Sequence, residues 1–231
     1  MGRVYRERRA HSGLRCVWRR EVDAGAVGGQ VRVVPDGCTD LLFSPGDGRL
    51  FVAGPDTRAH LSAGSGALHA VRFPPGVGPS VFGVPGAELR DRRVPLDALW
   101  GPVDALLDRL LTAADPEVVL ARESVRRLRE SPPDPVARVI AATVARPGGV
   151  AGLADGIGLS ERQLRRRSAA AFGYGPKVLQ RVLRFDRAVA LARAGTGFAE
   201  TAARTGYADQ AHLSREVREL AGVPLGVLVG R

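Results

Sequence analysis

The segment GLSERQLRRRSAAAFGYGP, residues 158–176, sets three consecutive arginines, Arg165, Arg166 and Arg167, among apolar residues at helical spacing. Leu164, Ser168 and Phe172 follow i, i+4, i+8 and are predicted to share one face turned to a core. Arg162, Arg165 and Arg166 then fall together on the opposite face, while Arg167 turns to the side. Such a face is either a solvated charged surface or one offered to nucleic acid, and the segment taken singly does not choose between them.

A repeat chooses. Sliding the sequence by 49 residues places Leu164 on Leu213, Arg166 on Arg215, Ser160 on Asp209 and Gly173 on Gly222. In each copy a small-residue helix, residues 150–156 or 198–205, meets a glycine-containing turn, an N-capping Ser or Asp, and a second helix. These read as two helix-turn-helix units. In the second copy Leu213, Val217 and Leu220 make the core stripe, leaving Gln210, Ala211, His212 and Arg215 facing out. The outward residues suit base edges. Arg donates two hydrogen bonds to guanine, Gln suits adenine, and Ala meets a thymine methyl, a good pair being worth roughly 1–3 kcal/mol of discrimination. For Arg167 a phosphate contact or plain solvation is expected instead. His212 lacks a second ligand at metal spacing and reads as a polar surface residue.

Between the units runs PKVLQRVLRFDRAVALARAG, with Pro176 suited to a first turn, Gly195 to an end, and Val178, Val182, Phe185, Val189 and Ala192 as a stripe. At ~1.5 Å per residue the expected helix 176–194 spans roughly 28 Å. A rod of that length can set two recognition helices about one DNA turn, roughly 34 Å, apart.

Charge agrees. The 231-residue chain carries a net charge of +10, and residues 134–231 hold 15 Lys+Arg against 8 Asp+Glu, so +7 of it. A basic excess supports binding to phosphates or an anionic surface and carries no information about base sequence. Cys16 and Cys38 are too few for a disulfide framework and lack CxxC spacing, which fits a reduced cytoplasmic protein. No apolar stretch suits a signal peptide or a membrane span, and Arg6 stands where a myristoylation signal needs Ser or Thr.

The first part differs in texture. Residues 14–95 are rich in Gly and Pro, with apolar runs such as QVRVVPDGCTDLLFS and LHAVRF bounded by turn residues, and read as an antiparallel sheet or small barrel. Helical stripes begin near Pro95, including DPEVVLARESVRRLRE with Asp115 as cap and Pro116 in the first turn. SPPDP, residues 131–135, breaks the pattern. The expected fold class is α+β in two domains: residues 1–130, a β-rich sensor or dimerisation domain with helices from about 96, and residues 134–231, wholly α.

Residues 134–231 resemble the DNA-binding domain of the AraC/XylS family of bacterial transcription regulators, through GLSERQLRRRSAAAFGYGP, the joining helix and AARTGYADQAHLSREVRELAGVPLG. By position, the resemblance implies base contacts from Arg162, Arg165 and Arg166 in the first unit and from Gln210, Ala211, His212 and Arg215 in the second. The family usually has a bulky aromatic where this chain has Ser168 and Val217. Residues 14–110, with VPDGCTDLLFS, GPDTRAH and VRFPPGVGPSVFGVP, look like a little-characterised domain that precedes this DNA-binding domain in some members. The resemblance implies double-stranded DNA as partner, a small-molecule effector for the first domain, and RNA polymerase and a second copy of the chain as candidate partners.

In PDGCTD, Asp36, Cys38 and Asp40 alternate and would share one strand face, where they could line a pocket. The alternative is a turn Asp, a small buried thiol and a capping Asp. His60 and His69 have no HxH partner or carboxylate cluster, so no metal site and no cofactor are expected. A second function class, a small barrel enzyme with a basic helical appendage, has no GxSxG, HExxH, Walker or Rossmann pattern behind it.

Overall fold

The computed structural model describes residues 4–10, 13–22, 30–62, 66–146 and 148–231. Among these, the first part of the chain forms β1 (Val4–Arg9), β2 (Cys16–Val22), β3 (Val31–Val33), β4 (Thr39–Ser44), β5 (Arg49–Ala53), β6 (His60–Ser62), β7 (Gly66–Phe73), α1 (Gly78–Phe82), α2 (Gly86–Leu89), β8 (Arg93–Pro95), α3 (Asp97–Trp100), α4 (Asp104–Thr112) and α5 (Pro116–Glu130). Six strands make an antiparallel sheet in the order β1-β2-β7-β4-β5-β8, and β3 pairs with β6 in a second sheet. The register sets Val17 and Leu41 opposite Val71, and Val52 opposite Leu41. Because cross-strand partners point the same way, these residues form one apolar row. That row is buried beneath Val81, Phe82, Leu89, Leu110 and Leu120 from α1, α2, α4 and α5. Trp18, Leu42 and Ala70 cluster on the other face with Cys16. Pro116 opens α5 as expected, but the Asp115 side chain makes no capping bond and instead lies 4.0 Å from Arg8.

The remainder is helical: α6 (Pro135–Val144), α7 (Leu153–Gly156), α8 (Glu161–Phe172), α9 (Pro176–Arg193), α10 (Phe198–Thr205), α11 (Gln210–Ala221) and α12 (Leu225–Val229). Asp134 caps α6, accepting from the Val136 N–H at 2.9 Å. The helix expected over 150–156 is shorter, because Gly152 adopts φ +67°, outside the helical region, and only Leu153–Gly156 is helical.

The stripe of α9 also differs. Val178 is 38% exposed, and Leu179, Val182, Phe185, Ala188, Val189 and Ala192 are buried. Leu179 and Val182 join a core with Ile140, Leu153, Leu164 and Phe172, while Phe185, Val189 and Ala192 join one with Tyr207, Leu213, Val217 and Leu220. One helix thus supplies the floor of both units, at roughly 1.5–3 kcal/mol for each large apolar side chain buried. Ser168 and Val217 are each fully buried in these cores.

Candidate nucleic-acid interface

Ser160 starts α8 with a capping box: its Oγ accepts from the Gln163 N–H at 3.2 Å, and the Gln163 Oε1 accepts from the Ser160 N–H at 2.8 Å. Gly173 ends the helix in the left-handed region at φ +83°. Leu164, Ser168 and Phe172 are buried, and Arg162, Arg165 and Arg166 are exposed. Asp209 starts α11 as a one-way cap, its carboxylate accepting from the His212 N–H, and Gly222 ends the helix at φ +71°. Gln210, Ala211 and Arg215 are exposed over buried Leu213 and Val217. Two of the residues named from the sequence behave differently. His212 is half-buried, its ring edge-on to Tyr207 and its Nδ1 accepting from the Ala208 N–H at 3.4 Å, so it braces the turn into α11. Arg167 donates to Asp134 Oδ2 at 2.7 Å, tying α8 to the cap of α6.

Beyond their packing on α9, both helices are also contacted from the first part of the chain, at their C-terminal ends. At the end of α8, Arg90 donates to the Gly173 carbonyl at 3.2 Å. There Gly86 approaches so closely that a methyl in its place would lie 2.6 Å from the Gly173 nitrogen. At the end of α11, the Ala59 N–H donates to the Leu220 carbonyl at 2.7 Å and Arg32 to the Ala221 carbonyl at 2.8 Å. The last carbonyls of a helix lack partners within it and carry partial negative charge, so a guanidinium is well matched there. Helices α8 and α11 are therefore both held at their C-terminal ends by the β-rich part.

The PDGCTD segment lies in the same region. Gly37 takes φ +77° and the Asp36 carboxylate accepts from the Cys38 N–H at 2.9 Å, an Asx turn that keeps Asp36 and Cys38 off the strand. Strand β4 begins only at Thr39, so the expected shared strand face does not form. The three side chains still converge. Arg72 contacts Asp40 bidentately at 2.9 Å and Asp36 at 3.2 Å, while Arg15 reaches Cys38 Sγ at 3.6 Å and Asp186 of α9 at 3.7 Å. Burial first, and then Asp36, pushes the Cys38 thiol well above its ordinary range. Burial likewise raises the carboxyls of Asp36 and Asp186, outweighing their arginines. Among the described residues, no group of three or more His, Cys, Asp or Glu is placed to hold a metal, and no helix is long and apolar enough to cross a membrane.

Two helix-turn-helix units built on one shared helix define a DNA-binding protein of the transcription-regulator class. Residues 153–230 match the family described as Helix-turn-helix domain, and residues 11–95 match Domain of unknown function (DUF6597). The chain carries an AraC-type helix-turn-helix domain behind an N-terminal domain of that second family. No curated protein matches it. Solved structures similar to the chain include three of ToxT from Vibrio cholerae. A 1.65 Å structure is 9% identical, with 97% of each chain covered and a TM-score of 0.46. That from O395 is 10% identical over 93% of this chain and 97% of the other, with a TM-score of 0.44. An unsaturated fatty acid bound form from strain SCE256 is 9% identical over 87% and 86%, with a TM-score of 0.42.

Proposed function

We propose that the protein is a sequence-specific transcription regulator whose helices α8 and α11 enter successive major grooves, and whose N-terminal domain, residues 1–130, senses a small-molecule effector or mediates dimerisation. The observation that carries this reading is the pair of exposed faces, Arg162, Arg165 and Arg166 on α8 and Gln210, Ala211 and Arg215 on α11, each over a buried stripe and both mounted on α9. The 18 residues of α9 span roughly 27 Å at ~1.5 Å each, a rise comparable to one turn of DNA at roughly 34 Å. His212 serves the second unit by positioning its entry turn, with its remaining ring nitrogen able to reach a base edge. The contacts at Gly173, Leu220 and Ala221 give the N-terminal domain a means of control, since any shift of Arg90 or Arg32 bears directly on a recognition helix.

One copy with two units can occupy an asymmetric site, and RNA polymerase and a second copy of the chain are the further partners of this reading. The test is competition at physiological salt between a selected duplex and unrelated DNA. Specific binding is expected to exceed nonspecific binding by at least about a thousandfold. A protein released equally by both duplexes is a nonspecific binder, and the proposal fails.

A further inference from the structure

The register of the sheet sets Arg6 opposite Arg19 and Arg8 opposite Val17, and on β7 it sets His69 opposite Arg19 and Val71 opposite Val17. Cross-strand partners point the same way, so Arg6, Arg8, Arg19 and His69 share the face on which Val17 and Val71 pack beneath α5. Where α5 begins, a cleft of about 220 Å³ lies between β1, β2 and the helix, lined by Arg6, Arg8, Val17, Arg19, Asp115 and Glu117. Its charges are incompletely matched. Arg8 lies 4.0 Å from Asp115, but among the described residues Arg6 and Arg19 make no ion pair. On the opposite wall Glu117 is only 3% exposed, yet its Oε2 has no hydrogen-bond partner and its Oε1 faces His69 Nδ1 at 3.2 Å without a formed hydrogen bond. A buried carboxylate lacking donors is costly to keep charged, and guanidiniums gathered on one wall repel one another and focus a positive potential. Because Glu117 meets His69, the cross-strand neighbour of Arg19, the negative and positive sites lie about one strand spacing, roughly 5 Å, apart.

We propose that this cleft binds a small zwitterion of the α-amino-acid type, its carboxylate held by Arg6 and Arg19, its ammonium donating to Glu117 and its side chain lying toward Val17. A simple anion would leave Glu117 unmatched, and a simple cation would be repelled by the arginines. Two opposite charges carried on one carbon satisfy both walls at once, and the cleft is smaller than the roughly 300 Å³ at which sites for drug-sized ligands begin. Binding here stands on the cleft alone. Its use as a signal rests on the regulator reading given above: Glu117 lies in the first turn of α5, and α5 ends at Glu130, four residues before Asp134, which caps α6 and holds Arg167 of α8.

The test is a melting-temperature screen of the full chain, without DNA, against the proteinogenic L-amino acids, followed by calorimetry with the one that raises the melting temperature most. That amino acid is expected to bind at one site. Its carboxamide, which lacks the anion, and its deaminated acid, which lacks the cation, should each bind at least about tenfold more weakly, as the loss of a hydrogen bond to a charged group requires. Glu117→Gln should weaken the amino acid by a similar factor while leaving the deaminated acid unaffected. Arg6→Gln with Arg19→Gln should weaken the amino acid while leaving the carboxamide unaffected, and this rim pair carries the test if Glu117→Gln fails to fold. Absence of binding by every amino acid, equal binding of the carboxamide or the deaminated acid, or unaltered affinity in the folded variants would overturn the proposal. Operator affinity with and without the amino acid is measured separately, so that failure of the regulator reading leaves the binding result intact.

Discussion

Replacing Gly86 by alanine is the sharpest perturbation of the contact between the β-rich part and α8. The new methyl would lie 2.6 Å from the Gly173 nitrogen and 3.2 Å from the Ala170 carbonyl oxygen, both backbone atoms that no rotamer change can move. Relief requires α2 and α8 to separate by close to an ångström, taking ordinary carbon contacts of about 3.5–4.0 Å as the goal. The Arg90 to Gly173 hydrogen bond, already 3.2 Å, would then be lost. Overpacking of this kind costs about 1–3 kcal/mol and a hydrogen bond to a charged group about 1.5–3 kcal/mol. Against this, alanine within helix α2 gains about 0.5–1 kcal/mol over glycine. The steric loss wins, leaving about 1.5–5.5 kcal/mol of destabilisation concentrated at the contact. For a chain of this size each kcal/mol moves the melting temperature by about 2–4 °C, so a fall of roughly 3–22 °C, or a split into two transitions, is expected by calorimetry. Gly46→Ala is the control, since nothing lies within 4 Å of the added carbon and Gly46 has no positive φ. Unchanged melting of Gly86→Ala would refute the argument that the two parts meet in this way.

Four further outcomes are expected. A fragment beginning at Asp134 should unfold cooperatively and bind DNA at low salt, because its two cores are built almost wholly from its own side chains; cooperative unfolding without DNA affinity would mean that the reading faces are wrongly assigned. Cys38→Ser should alter thermal stability while operator binding stays indifferent to mild peroxide, since the thiol is buried and held protonated; loss of affinity on oxidation in the unmutated protein alone would make Cys38 a sensor. The Asp186 carboxyl is raised by burial and then by Asp36, so the folded state holds its proton longer than the unfolded state. Its stabilising contribution is therefore complete below the ordinary carboxylate range and is lost as pH rises through the raised value. Asp186→Asn should accordingly make the melting temperature fall less, or rise more, between pH 4 and 6, and an unchanged slope would contradict this. Because Arg167 is held by Asp134, Arg167→Ala should change the salt slope of DNA binding by much less than the ~0.9 expected for one lost phosphate contact, whereas a drop of about one would show that it leaves Asp134 for the backbone.

Features set by neighbours in sequence were readable from it. Ser160, Asp209 and the spacing of Leu164, Ser168 and Phe172 are local signals, and each helix starts or buries as they dictate. Three misreadings share a cause, a backbone torsion or an end effect that periodicity cannot see, whereas the Asp115 cap fails because its side chain turns to Arg8. Gly37 at φ +77° turns an apparent strand alternation into an Asx turn, and Gly152 at φ +67° shortens the helix expected from residue 150. The stripe of α9 shifts by one residue, from Val178 to Leu179, in the first turn after Pro176. The arrangement between the two parts was not readable at all. Arg32 and Ala221 are 189 residues apart, and Arg90 and Gly173 are 83 apart. Nothing in composition or spacing marks an exposed arginine as the partner of a distant helix end.

The central claim is that α8 and α11 each read their own bases, and binding-site selection with Arg162→Ala and Arg215→Ala tests it most directly. Each variant is expected to lose roughly 1–3 kcal/mol on the preferred site and to relax one or two base pairs. The two sets of relaxed positions should lie about one helical turn, roughly 10 base pairs, apart. Unaltered selected sequences, or the same base pairs relaxed by both variants, would contradict the claim and return the arginine face of α8 to a solvated surface.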